Sequence, residues 1–398
     1  MKVILYTLAS LVMAACATSK PSCTAKQAMS TDSTQTFAFS LFSAVNSTAE
    51  DVENFCISPA SAQWALAMTA NGARGNTAKQ MYEALGYPDA ASNTQGFNCL
   101  QKDNIKALNN SSEAKVSVAN SIWVNKEIKL KSRFIEENAK FYDATTRNVT
   151  FDAGTVKEIN DWCSDKTEGK INSILNEANP ATKLLLINAL HFKAEWSKPF
   201  YKDITHNNTF TKANGEKITV PMMARSQIAN YYEDSTIQAT EKSFKNGEYS
   251  MLLILPRDGV SIQQAIGHIT EKYKKGLFGN SKKYNVHLTM PRFRTEFGTS
   301  LKPMLKAMGI NEAFTAQADF SEISKTPLLI DDVIQKSYIS VNEDGAEAAA
   351  VTAVQMMLTG LPREEPKTLT LDRPFIYAIT NNQTGEILFI GKVGNPQY

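Results

Sequence analysis

Glu343-Asp344-Gly345-Ala346-Glu347-Ala348-Ala349-Ala350-Val351-Thr352-Ala353-Val354 decides how this chain is read. Propensity alone makes it a short helix, because Glu-Ala-Ala-Ala favours that state. Its neighbours argue otherwise. The strand-like run Leu328–Val341 leads straight into it, and Met356–Lys367 beyond it reads as exposed loop with Gly360, Pro362 and Pro366. A different demand fits better: a segment that leaves a loop and slides into the middle of an existing sheet. Strand side chains alternate faces, so those pointing inward must then be small and uncharged. Ala346, Ala348, Ala350 and Thr352 meet that condition, Ala349 is small on the other face, and Glu347 has the parity that leaves it in solvent. Gly345 supplies a permissive hinge.

Working outward, no repeat or linker interrupts the chain from residue 34 to 398, which reads as one large α+β domain. Apolar spacing predicts a helix over Thr36–Val45. Ser58-Pro59 is a cap followed by Pro at the first helical position, opening a helix that Gly72 stops. Thr77–Leu85, Val156–Glu168, Ser261–Lys275 and Leu301–Met308 are further helices; Ala114–Val124, Met251–Leu255, Tyr284–Thr289, Leu328–Val341, Phe375–Thr380 and Ile387–Gly391 are strands. Lys183–Phe192 is nearly continuous in apolar residues, as in strands buried on both faces. Asn188 interrupts it and needs hydrogen-bond partners there.

Residues 1–15 read as an export signal, with Lys2 followed by an apolar run too short to span a bilayer. Met13-Ala14-Ala15-Cys16 resembles a bacterial lipoprotein signal, which would make Cys16 the lipidated mature terminus and residues 16–33 a flexible tether. The expected location is the cell envelope, as a lipoprotein of the outer membrane or periplasm, or alternatively the extracellular space. A lipid anchor would be the only membrane contact. Cys23, Cys56, Cys99 and Cys163 are widely and irregularly spaced, which indicates neither a zinc site nor a disulfide framework.

Lys and Arg number 42 against 40 Asp and Glu, and no long basic run occurs, so nucleic acid is not an expected partner. No GxSxG, HExxH, P-loop or dinucleotide glycine pattern is present. With four His in the whole chain, and His191 inside an apolar strand, nothing points to catalysis, a metal or a cofactor.

The quoted segment resembles the hinge of the serpins, whose reactive loops begin with Glu, a polar residue, Gly, a small residue, Glu and an Ala run. Phe55–Met81 (FCISPASAQWALAMTANGARGNTAKQM) is similar to the family's early helix and following turn. Asn188-Ala-Leu-His-Phe-Lys-Ala-Glu-Trp196-Ser-Lys-Pro-Phe200 resembles its central-sheet motif, and Leu288–Phe297 its Met-Pro-x-Phe strand. Asp372-Arg-Pro-Phe375 and Ile387–Pro396 resemble its C-terminal motif.

The resemblance implies a large central β-sheet, two smaller sheets, eight or nine helices and an exposed bait loop on a monomer. It implies suicide inhibition of serine, and also cysteine, proteases: attack on the loop gives an acyl-enzyme, and the loop then inserts as a new strand. Thr359 is the seventeenth residue counted from Glu343, the spacing at which inhibitory members are cleaved, so the expected bond is Thr359-Gly360. Met356, Met357 and Leu358 fill the upstream subsites, with Met357 and Leu358 as alternative bait, and this suits elastase-like or subtilisin-like proteases with small or apolar pockets. Arg363 lies four residues later and is expected to be a plain substrate site. By position Ser58, Ser61 and Asn188 match a polar cluster where the central strands part, with Gln335 where the family often has His. Lys193 and Trp196 match residues near the loop's point of entry. A non-inhibitory member acting as a binding or chaperone-like protein is the alternative, against which Ala346, Ala348 and Ala350 speak.

Overall fold

The computed structural model of the chain describes residues 31–49, 52–109, 111, 114–274, 276–278, 283–347 and 365–398. These contain eight α-helices: α1 (Thr31–Thr48), α2 (Pro59–Ala70), α3 (Gly75–Ala84), α4 (Thr94–Asn109), α5 (Ser132–Tyr142), α6 (Ala153–Lys166), α7 (Ile262–Lys274) and α8 (Lys302–Ala307). The strands are β1 (Asn54–Ile57), β2 (Ala114–Asn125), β3 (Thr145–Val149), β4 (Leu184–Glu195), β5 (His206–Thr211), β6 (Lys217–Glu233), β7 (Ile237–Ser243), β8 (Tyr249–Pro256), β9 (Lys283–Pro291), β10 (Phe293–Ser300), β11 (Asp332–Val341), β12 (Gly345–Ala346), β13 (Lys367–Thr370), β14 (Phe375–Asn381) and β15 (Ile387–Val393).

A six-stranded sheet runs β10-β11-β12-β4-β2-β3. Its β4 is buried on both faces, which explains the continuous apolar run. Leu184, Leu186, Leu190 and Phe192 join the main core, while Leu185, Ile187 and Ala189 join a second cluster with Ile159 and Cys163 of α6. The N-terminus of α6 is capped by Asp152, whose carboxylate accepts from the Thr155 amide at 2.9 Å.

The remaining strands join along β1-β15-β14-β8-β7-β6-β9-β13, with β5 also on β6. Strand β6 unites two smaller sheets. Its residues up to Asn230 pair with β5 and β9, and Tyr231–Glu233 pair with β7.

Helix α2 lies buried along its whole length between the sheets. Such burial demands that its backbone polar groups be satisfied locally. Ser58 caps it by accepting from the Ser61 amide, Pro59 opens it, and Thr69 donates to the Ala65 carbonyl.

Three details depart from expectation. Leu328–Asp331 is not strand; the Asp331 carboxylate instead accepts from the Lys183 and Leu184 amides at 2.7 and 3.0 Å. Cys99 is disulfide-bonded, which the cysteine spacing did not indicate, whereas Cys56 and Cys163 are free and buried. Helices α4 and α5 were not assigned; they share a buried polar network in which Asn98 donates to Asn71, Asn71 to Asn138, and the Tyr142 hydroxyl to Asn98.

Candidate functional site

The site is the seam between β4 and β11. The two strands pair in parallel from Asp332↔Leu185 to Tyr338↔His191. Above that pair they part, and β12 stands between them, antiparallel to both: Gly345↔Glu195, Ala346↔Ala194 and Val341↔Ala346. Gly345 and Ala346 are thus a short strand of the sheet.

Close approach dictates the glycine. A Cβ on Gly345 would lie 2.1 Å from the Ala194 carbonyl oxygen. Gly345 is not among the residues with positive φ, so space rather than conformational freedom requires it. Ala346 is fully buried. The turn before it is set by Asn342, whose side-chain oxygen accepts from the Asp344 and Gly345 amides at 2.9 and 3.2 Å.

The root of the hinge is pinned. Glu343 is 3 % exposed, and its carboxylate accepts from Arg292 at 2.5 and 2.8 Å and from the Thr205 hydroxyl at 2.7 Å. Burial alone would raise its pKa, but the bonds from Arg292 and Thr205 outweigh burial and hold the carboxyl below its ordinary value. Asp344 pairs with Lys202 at 2.8 Å, and the Trp196 indole N–H donates to the Asn342 carbonyl at 2.9 Å. Trp196 stacks on Phe244 with centroids 4.3 Å apart.

Lower in the seam lies a buried polar cluster. Gln335 on β11 accepts from the Ser58 amide at 2.9 Å and donates to the Ser58 carbonyl and to the Asn188 side-chain oxygen, both at 2.8 Å. Asn188 donates to the Ser61 hydroxyl and to Asn120. One amide side chain therefore ties together the start of α2, β4 and β11. No member titrates near neutrality, so its integrity does not depend on pH there.

The expectation that Glu347 faces solvent concerns an inserted strand; next to the two-residue β12 it is covered. It does not lie in solvent: its side chain is 4 % exposed and bonds His191 at 2.5 Å, with Lys170 at 3.5 Å. Glu347, the residue after β12, has a φ of +53°, outside the extended range of a strand.

The serpin family model (serine protease inhibitor) matches residues 32–396. The chain belongs to the serpin family. It is 34% identical over 377 residues to the leukocyte elastase inhibitor of Xenopus tropicalis, covering 90% of this chain and 97% of that one. The native structure of the thermophilic serpin tengpin superposes with a TM-score of 0.84 at 35% identity, covering 92% of this chain and 94% of that one. Thyroxine-binding globulin in complex with thyroxine gives a TM-score of 0.82 at 25% identity, covering 92% and 99%.

As in the serpins it resembles, the α+β architecture sets a large mixed sheet beside additional smaller sheets. The structure brings together Ser58, Ser61, Asn188 and Gln335, and separately Glu343, Gly345, Ala346 and Trp196. Lys193 is exposed on β4 opposite Lys115 of β2, one residue from Ala194. Ala348, Ala349, Ala350, Thr352, Met357, Leu358, Thr359, Gly360, Arg363 and Cys16 lie outside the described residues. Asn120, Thr205 and Arg292 were missed. Asn120 had a signal, a polar residue in a strand of otherwise apolar alternation, and Arg292 sits inside the quoted Met-Pro-x-Phe motif. Among the described residues no group of three His, Cys, Asp or Glu could hold a metal ion.

Proposed function

We propose that this serpin is a suicide inhibitor of serine proteases, and of cysteine proteases that form the same kind of acyl-enzyme, with its bait bond at Thr359-Gly360. The observation that carries this reading is β12: two hinge residues already wedged between β4 and β11, followed in sequence by an alanine run. Attack on the bait by the protease's nucleophile forms an ester or thioester to the loop and releases the new amine terminus. The freed segment then continues β12 downward, exchanging one parallel seam for two antiparallel ladders. Roughly a dozen new hydrogen bonds at about 1 kcal/mol each favour the inserted state. The chain itself performs no catalytic turnover in this scheme.

Met357, Leu358 and Thr359 favour proteases with small or apolar primary pockets, in keeping with the name of the leukocyte elastase inhibitor. The proposed location is the cell envelope, anchored through Cys16, or the extracellular space; the Cys99 disulfide supports an oxidising compartment. The test is incubation with an elastase-like protease. An SDS-stable complex is expected, with mass spectrometry of the released peptide locating the cut at Thr359. Ala346→Arg places a charge on the buried face and should convert the inhibitor to a substrate. Clean loop cleavage without complex across a protease panel would refute inhibition and return the binding-protein alternative.

A further inference from the structure

Glu347 occupies a defined place: it covers the last closed pair of the seam. That pair is Tyr338↔His191. His191 is fully buried and meets the Glu347 carboxylate at 2.5 Å. Lys170, from the turn after α6, lies 3.5 Å from the same carboxylate oxygen and 5.7 Å over the Tyr338 ring. Groups from β4, β11, the hinge and the α6 turn therefore converge where the next residue would enter. Nearby, Glu168 is paired with Lys115 rather than with this cluster.

The cluster is incompletely satisfied. The second carboxylate oxygen of Glu347 and Nδ1 of His191 are both buried without a partner. A buried charge with one empty oxygen is held, but at a cost that leaving would relieve.

The register says where Glu347 goes next. With Gly345↔Glu195 and Ala346↔Ala194, extending β12 by one residue sets Glu347 opposite Lys193. His191 and Lys193 share one face of β4, since strand side chains alternate. Insertion thus carries the carboxylate along that face from an imidazole to an exposed ammonium, and oppositely charged cross-strand pairs stabilise a sheet.

We propose that His191, with Lys170, is a positioning site that retains Glu347 in the uninserted state, and that Lys193 receives the same carboxylate once the strand extends. The proposal rests on the insertion reading above. It assigns a use to His191 that neither a core histidine nor a catalytic base would have.

Hydrogen exchange of the full-length, uncleaved protein tests the retaining half without any protease. In His191→Phe and in Lys170→Met, amides of β11 around Tyr338 should exchange about tenfold faster than in wild type, while those of β14 and β15 keep their rates. Unchanged exchange at the seam in both variants would overturn the proposal; Lys170 is partly exposed, so its replacement keeps the test open if the buried His191 variant fails to fold. The receiving half is read after cleavage by a metalloprotease of the thermolysin type, which forms no acyl-enzyme and cannot be trapped. Cleaved Lys193→Met should melt below cleaved wild type, with the two uncleaved proteins melting together; equal melting of the cleaved forms would overturn that half. If cleaved wild type gains no thermal stability at all, the insertion reading itself fails, a result distinct from either outcome above.

Discussion

The β4–β11 seam and the β8–β14–β15 block are both buried sheet, yet they are built from different interactions. Every residue of β8, β14 and β15 is buried, and the pairing is antiparallel throughout. The seam is parallel and carries Ser58, Ser61, Asn120, Asn188 and Gln335 at its middle. Apolar packing weakens gradually as surfaces separate, because it scales with area removed from water. Hydrogen bonds lose most of their value within a few tenths of an ångström and a few tens of degrees. A polar seam therefore holds firmly and releases as a unit, whereas the apolar block resists throughout. One region is fastened and the other is packed.

The contrast can be broken at four points. Leu253→Ala, in the middle of β8, should cost about 2–5 kcal/mol and lower the melting temperature of uncleaved and loop-cleaved protein alike; a loss confined to one form would contradict the static role of the block. Glu386 is the buried charge at the end of that block, in the β14–β15 turn, where burial pushes its carboxyl from the ordinary 4.5 up to about 7. A raised acid pKa means the folded state is penalised once ionised, so stability declines from pH 4.5 to about 7 and the penalty persists above. Glu386→Gln should then match wild type at pH 4 and exceed it by about 3 kcal/mol at pH 8 in denaturant titrations.

Asn188→Ala strips partners from Gln335, Ser61 and Asn120 and should destabilise the uncleaved form by about 1–3 kcal/mol. On the proposed insertion its effect on the cleaved form should be smaller, because the seam it fastens would already have parted; equal losses would argue that the cluster is ordinary core. The smallest change is Thr205→Val at the hinge root, worth about 1 kcal/mol. Glu343 has a lowered pKa, so its contribution is present above the ordinary carboxyl value of 4.5 and is lost as pH falls below it. The Thr205→Val difference, read by equilibrium unfolding, should accordingly shrink in acid.

Legibility in the sequence followed the same division. Elements fixed by local chemistry were readable: the Ser58-Pro59 cap, the doubly buried run of β4, and the alternation of β11 after its first turn. Helix α4 was not, because it buries Asn98 and Gln101 and so lacks a clean apolar stripe. Asn98 is buried because Asn71, Asn138 and Tyr142, far away in the chain, complete a network with it. Gln335 and Asn188 could be placed in one cluster, but that a single amide would bridge three elements needed coordinates. Parity sets Ala346 and Glu347 on opposite faces, and Ala346 does join the main core while Glu347 meets His191 on the other side; that His191 and Lys170 would cover Glu347 there was not legible.

The two-residue length of β12 has a kinetic consequence. Starting a strand between two others is the costly step, because several residues must be ordered before the ladder repays them. Here two residues of such a strand already stand between β4 and β11. On the proposed mechanism everything after cleavage would be elongation, in which each residue ordered gains bonds on both sides at once. On that mechanism the trap works only by outrunning hydrolysis of the acyl bond, and a pre-formed nucleus would give it a running start.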